Sequence, residues 1–98
     1  PSEGLSTGRR VLLVEDDRIT TALVQHRLTR EGFEVFPFDD GADALRWAGE
    51  ATFDVAIVDA KLPGLDGFEL VARMREDVRL AGARIVMLTS MGLESDVV

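Results

Sequence analysis

Val11-Leu12-Leu13-Val14-Glu15-Asp16-Asp17 is the stretch that decides the fold. Four apolar residues, two of them β-branched, run without a polar break into three acids. A short run that is apolar on both sides of its pleat reads as a strand covered on both faces, the signature of a parallel sheet. The same design recurs where Val55–Val58 meets Asp59, and where Ile85–Leu88 meets Thr89 and Ser90. A weaker run, Glu34–Phe38, contains Pro37. Proline cannot donate to a ladder, which assigns this strand to a sheet edge.

Helical patterns separate the strands. Residues 18–30 carry Ile19, Leu23, Val24 and Leu28 at helical spacing and stop at Gly32. Residues 41–50 carry Ala44, Leu45 and Ala48, and residues 67–76 carry Leu70, Val71 and Met74. A last helix is expected to begin near Gly92. The order βαβαβαβ, wound with right-handed crossovers, gives an α/β fold: a doubly wound parallel sheet with helices on both faces. The edge position of residues 34–38 favours the strand order 2-1-3-4 over 1-2-3-4.

The chain has 98 residues, enough for one small domain. Residues 1–9 read as a linker-like segment, the first eight (Pro-Ser-Glu-Gly-Leu-Ser-Thr-Gly) having linker composition; residues 10–98 form the domain. There is no cysteine, so neither disulfides nor thiolate chemistry are available, which fits a cytoplasmic setting. Apolar runs fall far short of a membrane span. Lys and Arg number 11 against 18 for Asp and Glu, a formal charge of −7. Such a surface repels nucleic acid, so direct binding of DNA or RNA by this segment is not expected.

The acids are placed for chemistry. In a parallel sheet the C-terminal ends of all strands lie along one edge, and ligands bind there at the point where strand order reverses. For the order 2-1-3-4 that point lies between strands 1 and 3, which sets Glu15, Asp16 and Asp17 beside Asp59. Carboxylates gathered in one cleft oppose each other's ionisation, and a divalent cation resolves the conflict. Mg²⁺ commonly takes one or two carboxylates, keeps several waters and leaves room for phosphate oxygens. The pattern therefore points to phosphoryl chemistry on a carboxylate nucleophile. Plainer roles suit other residues. Asp17 reads as the cap of the first helix, and His26 as an ordinary surface residue. Trp47, Met74, Met87 and Met91 read as packing residues.

These residues resemble a known family. Val14-Glu15-Asp16-Asp17 is similar to the acidic signature of response-regulator receiver domains. Asp59 with Leu62-Pro63-Gly64-Leu65-Asp66-Gly67 is similar to the family's phosphoacceptor and its loop, and Val86-Met87-Leu88-Thr89-Ser90 to its fourth strand and switch hydroxyl. The resemblance spans residues 10–98. It implies a flavodoxin-like fold in which Asp59 accepts a phosphoryl group from a sensor histidine kinase or histidine phosphotransfer protein. It further implies Mg²⁺ held by Asp16, Asp59 and the backbone carbonyl of Lys61, with Glu15 acting through a metal-bound water. Thr89 would bond the phosphoryl oxygen and switch an output domain or target protein through the helix 4 region. Lys61 and Met91 occupy positions that tune the phosphoryl lifetime, and Pro63 and Gly67 shape the acceptor loop. The activity so implied is signalling, with self-catalysed phosphotransfer and dephosphorylation only, in a stand-alone regulator or a hybrid kinase.

One departure stands out. The family places a lysine after a fifth strand, and this sequence holds neither; Lys61, its sole lysine, lies two residues after Asp59. The domain thus reads as incomplete at its C-terminus, with strand 4 a bare edge open to dimerisation or strand exchange. Two alternatives compete. A Mg²⁺-dependent phosphatase with an aspartyl-phosphate intermediate, similar to haloacid dehalogenases, wants Asp-x-Asp, whereas the chain reads Asp59-Ala60-Lys61. A receiver-shaped interaction module that is never phosphorylated would leave the acid cluster as an unused cost to stability.

Overall fold

The structure, a computed structural model, describes residues 9–89 and 92–95. The described elements are β1 (Arg10–Val14), α1 (Arg18–Arg30), β2 (Glu34–Phe38), α2 (Gly41–Ala48), β3 (Val55–Asp59), α3 (Gly67–Arg75), a 3-10 turn (Val78–Leu80), β4 (Arg84–Thr89) and β5 (Gly92–Ser95). Strands β1 to β4 are parallel and lie in the order 2-1-3-4, as the sequence predicts. Pro37 sits on β2, which pairs with β1 and borders the sheet.

Each helix begins where an aspartate can hold it. The Asp17 carboxylate accepts from the Thr20 amide at 2.8 Å, which bears out its reading as a cap. Asp40 accepts from the amides of Ala42 and Asp43 at 2.8 and 3.0 Å, and Asp66 from that of Glu69 at 2.9 Å. These bonds satisfy amides that the first helical turn leaves without partners.

The core lies between the sheet and the α2–α3 layer. Leu12, Val14, Ala56, Val58, Ile85 and Met87 face Ala44, Ala48, Leu70, Val71 and Met74. Trp47 packs as expected, its ring 4.9 Å from Phe36 and 5.9 Å from Phe53. The other face belongs to α1, because successive right-handed crossovers move the chain in opposite directions from β1. Val11 and Leu13 are buried, while Val55 and Ile57, registered beside them on β3, and Val86 and Leu88 on β4 are half-buried. The helical spacing of α1 holds, but its apolar residues are not a core face. Ile19 and Leu23 are 71% and 66% exposed, and Val24 and Leu28 are half-buried. His26 is exposed, as read.

One expectation is overturned. Gly92–Ser95, read as the start of a helix, is a strand running antiparallel to β4, with Thr89 opposite Gly92 and Val86 opposite Ser95. The cause is the row of donors and acceptors along the outer edge of β4, which needs partners. The segment that follows β4 supplies them, so this edge is covered by the chain itself and is not bare. The expected linker at residues 1–8 and the packing of Met91 lie outside the described residues.

Candidate functional site

The cleft is assembled by the exits of β1 and β3. Both strands are extended by one further backbone bond: the Glu15 amide donates to the Phe38 carbonyl at 2.9 Å, and the Ala60 amide to the Leu88 carbonyl at 2.8 Å. These bonds hold each acid at a fixed height on the sheet edge. Glu15, Asp16 and Asp59 come together there, each offering a carboxylate oxygen within 4.8 Å of the others. Glu15 is buried, Asp59 half-buried and Asp16 exposed. Asp17 turns away to its capping role, so the acidic triplet divides as the sequence suggests.

Glu15 is the most constrained of the three. Its carboxylate accepts from the Asp17 amide at 2.9 Å. Burial raises its pKa above the ordinary carboxylate value, and the Asp59 and Asp16 charges push the same way, against the lowering effect of the Asp17 amide. This is the like-charge conflict that a hard cation relieves. Oxygen ligands on opposite sides of Mg²⁺ stand about 4 Å apart, from metal–oxygen distances of about 2.0–2.1 Å. A cluster with its oxygens within 4.8 Å is of the size that one such ion can occupy. The all-oxygen donor set and the partial exposure both fit such an ion.

The loop after Asp59 closes the other side. The Lys61 amide donates to the Asp59 carboxylate at 3.2 Å, and the Gly67 amide to the Ala60 carbonyl at 3.1 Å. Leu62 anchors the loop in the core. Gly64 has φ 74°, the left-handed region that favours glycine. A Cβ on Gly67 would collide with the Asp59 carbonyl. Pro63 and the Lys61 side chain are exposed.

Two cavities meet at Asp16. The one of about 570 Å³ runs along α1 and the end of β2, lined among others by Glu15, Arg18, Gln25, Phe38 and Asp39. A second, of about 550 Å³, lies over the acceptor loop between Lys61, Pro63, Asp66 and Phe68. Arg18, Asp39 and Phe68 are absent from the sequence reading, because cavity walls arise from elements brought together only by folding. The backbone of Thr89 ends β4, beside the strand that carries Asp59. Its hydroxyl, with Ser90 and Met91, lies outside the described residues.

This arrangement of parallel strands and acids is that of a signalling receiver, and the comparison with known proteins agrees. The chain belongs to the response regulator receiver domain family, which matches residues 11–98. It is 38% identical over 93 residues to the transcriptional regulatory protein TcrA of Mycobacterium tuberculosis, covering 95% of this chain and 36% of that protein. The chain thus spans about a third of the length of this relative. Among solved structures it is similar to the chemotaxis response regulator CheY4 of Vibrio cholerae, with TM-score 0.83 and 38% identity over 86% of this chain and 70% of that one. It is also similar to the receiver domain of the sensor histidine kinase PA1611 from Pseudomonas aeruginosa, with TM-score 0.82 and 30% identity over 86% of this chain and 69% of that one. That structure holds a magnesium ion coordinated in its active site cleft. Family membership sets aside the haloacid-dehalogenase-like phosphatase. No described helix is long and apolar enough to cross a membrane.

Proposed function

We propose that this receiver domain accepts a phosphoryl group on Asp59 from a phosphohistidine donor, in a Mg²⁺-dependent reaction, and thereby switches an output. The convergence of Glu15, Asp16 and Asp59 within 4.8 Å carries this reading. A carboxylate oxygen of Asp59 attacks phosphorus, the phosphorus–nitrogen bond to the donor imidazole breaks, and the imidazole takes up a proton. The product is an aspartyl phosphate. Asp16, Asp59 and the Lys61 carbonyl would hold Mg²⁺ directly, and Glu15 would act through a water. When bound, the ion would supply charge neutralisation for the transferring group. The Lys61 amide orients the Asp59 carboxylate, and buried Glu15 keeps that wall of the cleft acidic. Thr89, at the end of β4, bonds the phosphoryl oxygen once transfer is complete and biases the segment that follows it.

The donor in this reading is a sensor histidine kinase or phosphotransfer protein, supported by the likeness to the receiver of a sensor kinase. The protein's own chemistry is limited to taking the phosphoryl group and losing it to water. Residues 1–9 serve as a linker to the domain at 10–98, and its setting is cytoplasmic. The full-length protein, incubated with acetyl phosphate and Mg²⁺, is expected to gain one phosphoryl mass, and Asp59→Asn to gain none. Incorporation by the variant at the wild-type rate would remove Asp59 from the role.

A further inference from the structure

Gly41 opens α2, an element that contributes no carboxylate to the cleft. It is buried, and a Cβ built on it would meet the Leu65 carbonyl oxygen closer than side-chain carbons approach oxygen, with the Leu65 Cβ a further 3.2 Å neighbour. Its φ lies outside the left-handed region that favours glycine. The glycine is therefore required by the close approach and not by the turn. What it approaches is the acceptor loop. Leu65 follows Gly64, whose positive φ fixes the direction of the chain, and precedes Asp66, whose carboxylate caps α3. The loop's other end is the Lys61 amide on the Asp59 carboxylate.

We propose that Gly41 is a positioning residue for phosphoryl transfer: the Cα of α2's first residue is a stop against which the Leu65 carbonyl rests, setting the height of the loop that presents Lys61 to Asp59. The inference rests on the phosphoacceptor reading and assigns part of its geometry to a helix that supplies none of the acids. Two residues, one on either side of Gly41, fix the start of the helix. Asp40 is tied to α2 by two amide bonds, and Ala44 is fully buried in the core. A side chain at 41 therefore moves the loop, because the helix is the more rigid partner.

The test is Gly41→Ala in the full-length protein. Phosphoryl incorporation from acetyl phosphate is expected to slow by about 10- to 100-fold, the scale on which an ångström of misplacement acts. Mg²⁺ affinity, read by calorimetry, is expected to weaken, and amide resonances of residues 60–66 to shift. Ala48→Gly is the control. It loosens the buried end of the same helix without touching Leu65 and is expected to keep the wild-type rate. A Gly41→Ala variant with wild-type rate and Mg²⁺ affinity overturns the proposal, as does an Ala48→Gly variant slowed equally. If Gly41→Ala is unfolded in buffer, the rate is read in trimethylamine N-oxide, which favours the compact state; a wild-type rate there also overturns it. If the wild-type protein takes up no phosphoryl group, the phosphoacceptor reading has failed, and the Mg²⁺ and resonance measurements decide the role of Gly41 by themselves.

Discussion

Helices α1 and α3 face the same sheet and meet different fates. In α3, nine residues long, Gly67, Leu70, Val71 and Met74 are buried; in α1, thirteen residues long, none is. Both carry apolar residues at helical spacing. The difference lies in what the sheet offers each. The α3 side meets a continuous apolar layer shared with α2, whereas α1 stands beside β2 at the border, and β3 and β4 leave half-buried residues on its side of the sheet. Periodicity thus tells which residues share a stripe, but the depth of burial depends on how many elements converge on it.

The contrast can be broken by substitution. Leu70→Ala, which empties a fully buried site, is expected to lower stability by about 2–5 kcal/mol in denaturant unfolding. A loss no larger than that of a surface change would mean that the α3 side is poorly packed. A smaller effect is expected at the start of α1. The Thr20 hydroxyl and amide hold the Asp17 carboxyl below its ordinary pKa. A lowered folded pKa contributes stability that is present above the unfolded value and lost as pH falls through the folded one. Asp17→Asn keeps a capping oxygen but removes the titration, so unfolding followed from neutral to acid pH should show a shallower acid limb. An unchanged limb would leave α1 without this electrostatic tie. The smallest effect is assigned to Leu23→Ala, expected to stay within about 0.5 kcal/mol of wild type. A cost like that of Leu70→Ala would show that the α1 face is covered in solution, and the contrast would fall.

Much of the architecture was legible in the chain. Three apolar runs that each end in polar residues identify the strands and the edge where chemistry collects, and Pro37 alone decides which strand borders the sheet. The division of the triplet, with Asp17 capping while Glu15 and Asp16 join Asp59, was also readable, because Asp17 stands immediately before a helical pattern. Other features depend on contacts across the fold. Gly92–Ser95 has no strong local preference for a strand and takes that form to pair with β4. The 3-10 turn at Val78–Leu80 lacks a pattern of its own length. Arg18 and Asp39 reach one cavity only because the exit of β2 is bonded to Glu15. The stop at Gly41 could not be read either, since a glycine in the first turn of a helix is as readily explained by local geometry.

The bonds that extend β1 and β3 past their last rungs also bear on hydrogen exchange. The amides of Glu15 and Ala60 are donors to carbonyls of neighbouring strands, so they exchange with solvent only when those strands part. The Lys61 amide, held by a 3.2 Å bond to a carboxylate, is released by a turn of one side chain. Within a few residues the cleft thus joins backbone that opens with the whole sheet to backbone that opens with a single rotamer. Slow and fast protection should alternate across the site, and a ligand that engages the Asp59 carboxylate should be reported first at Lys61.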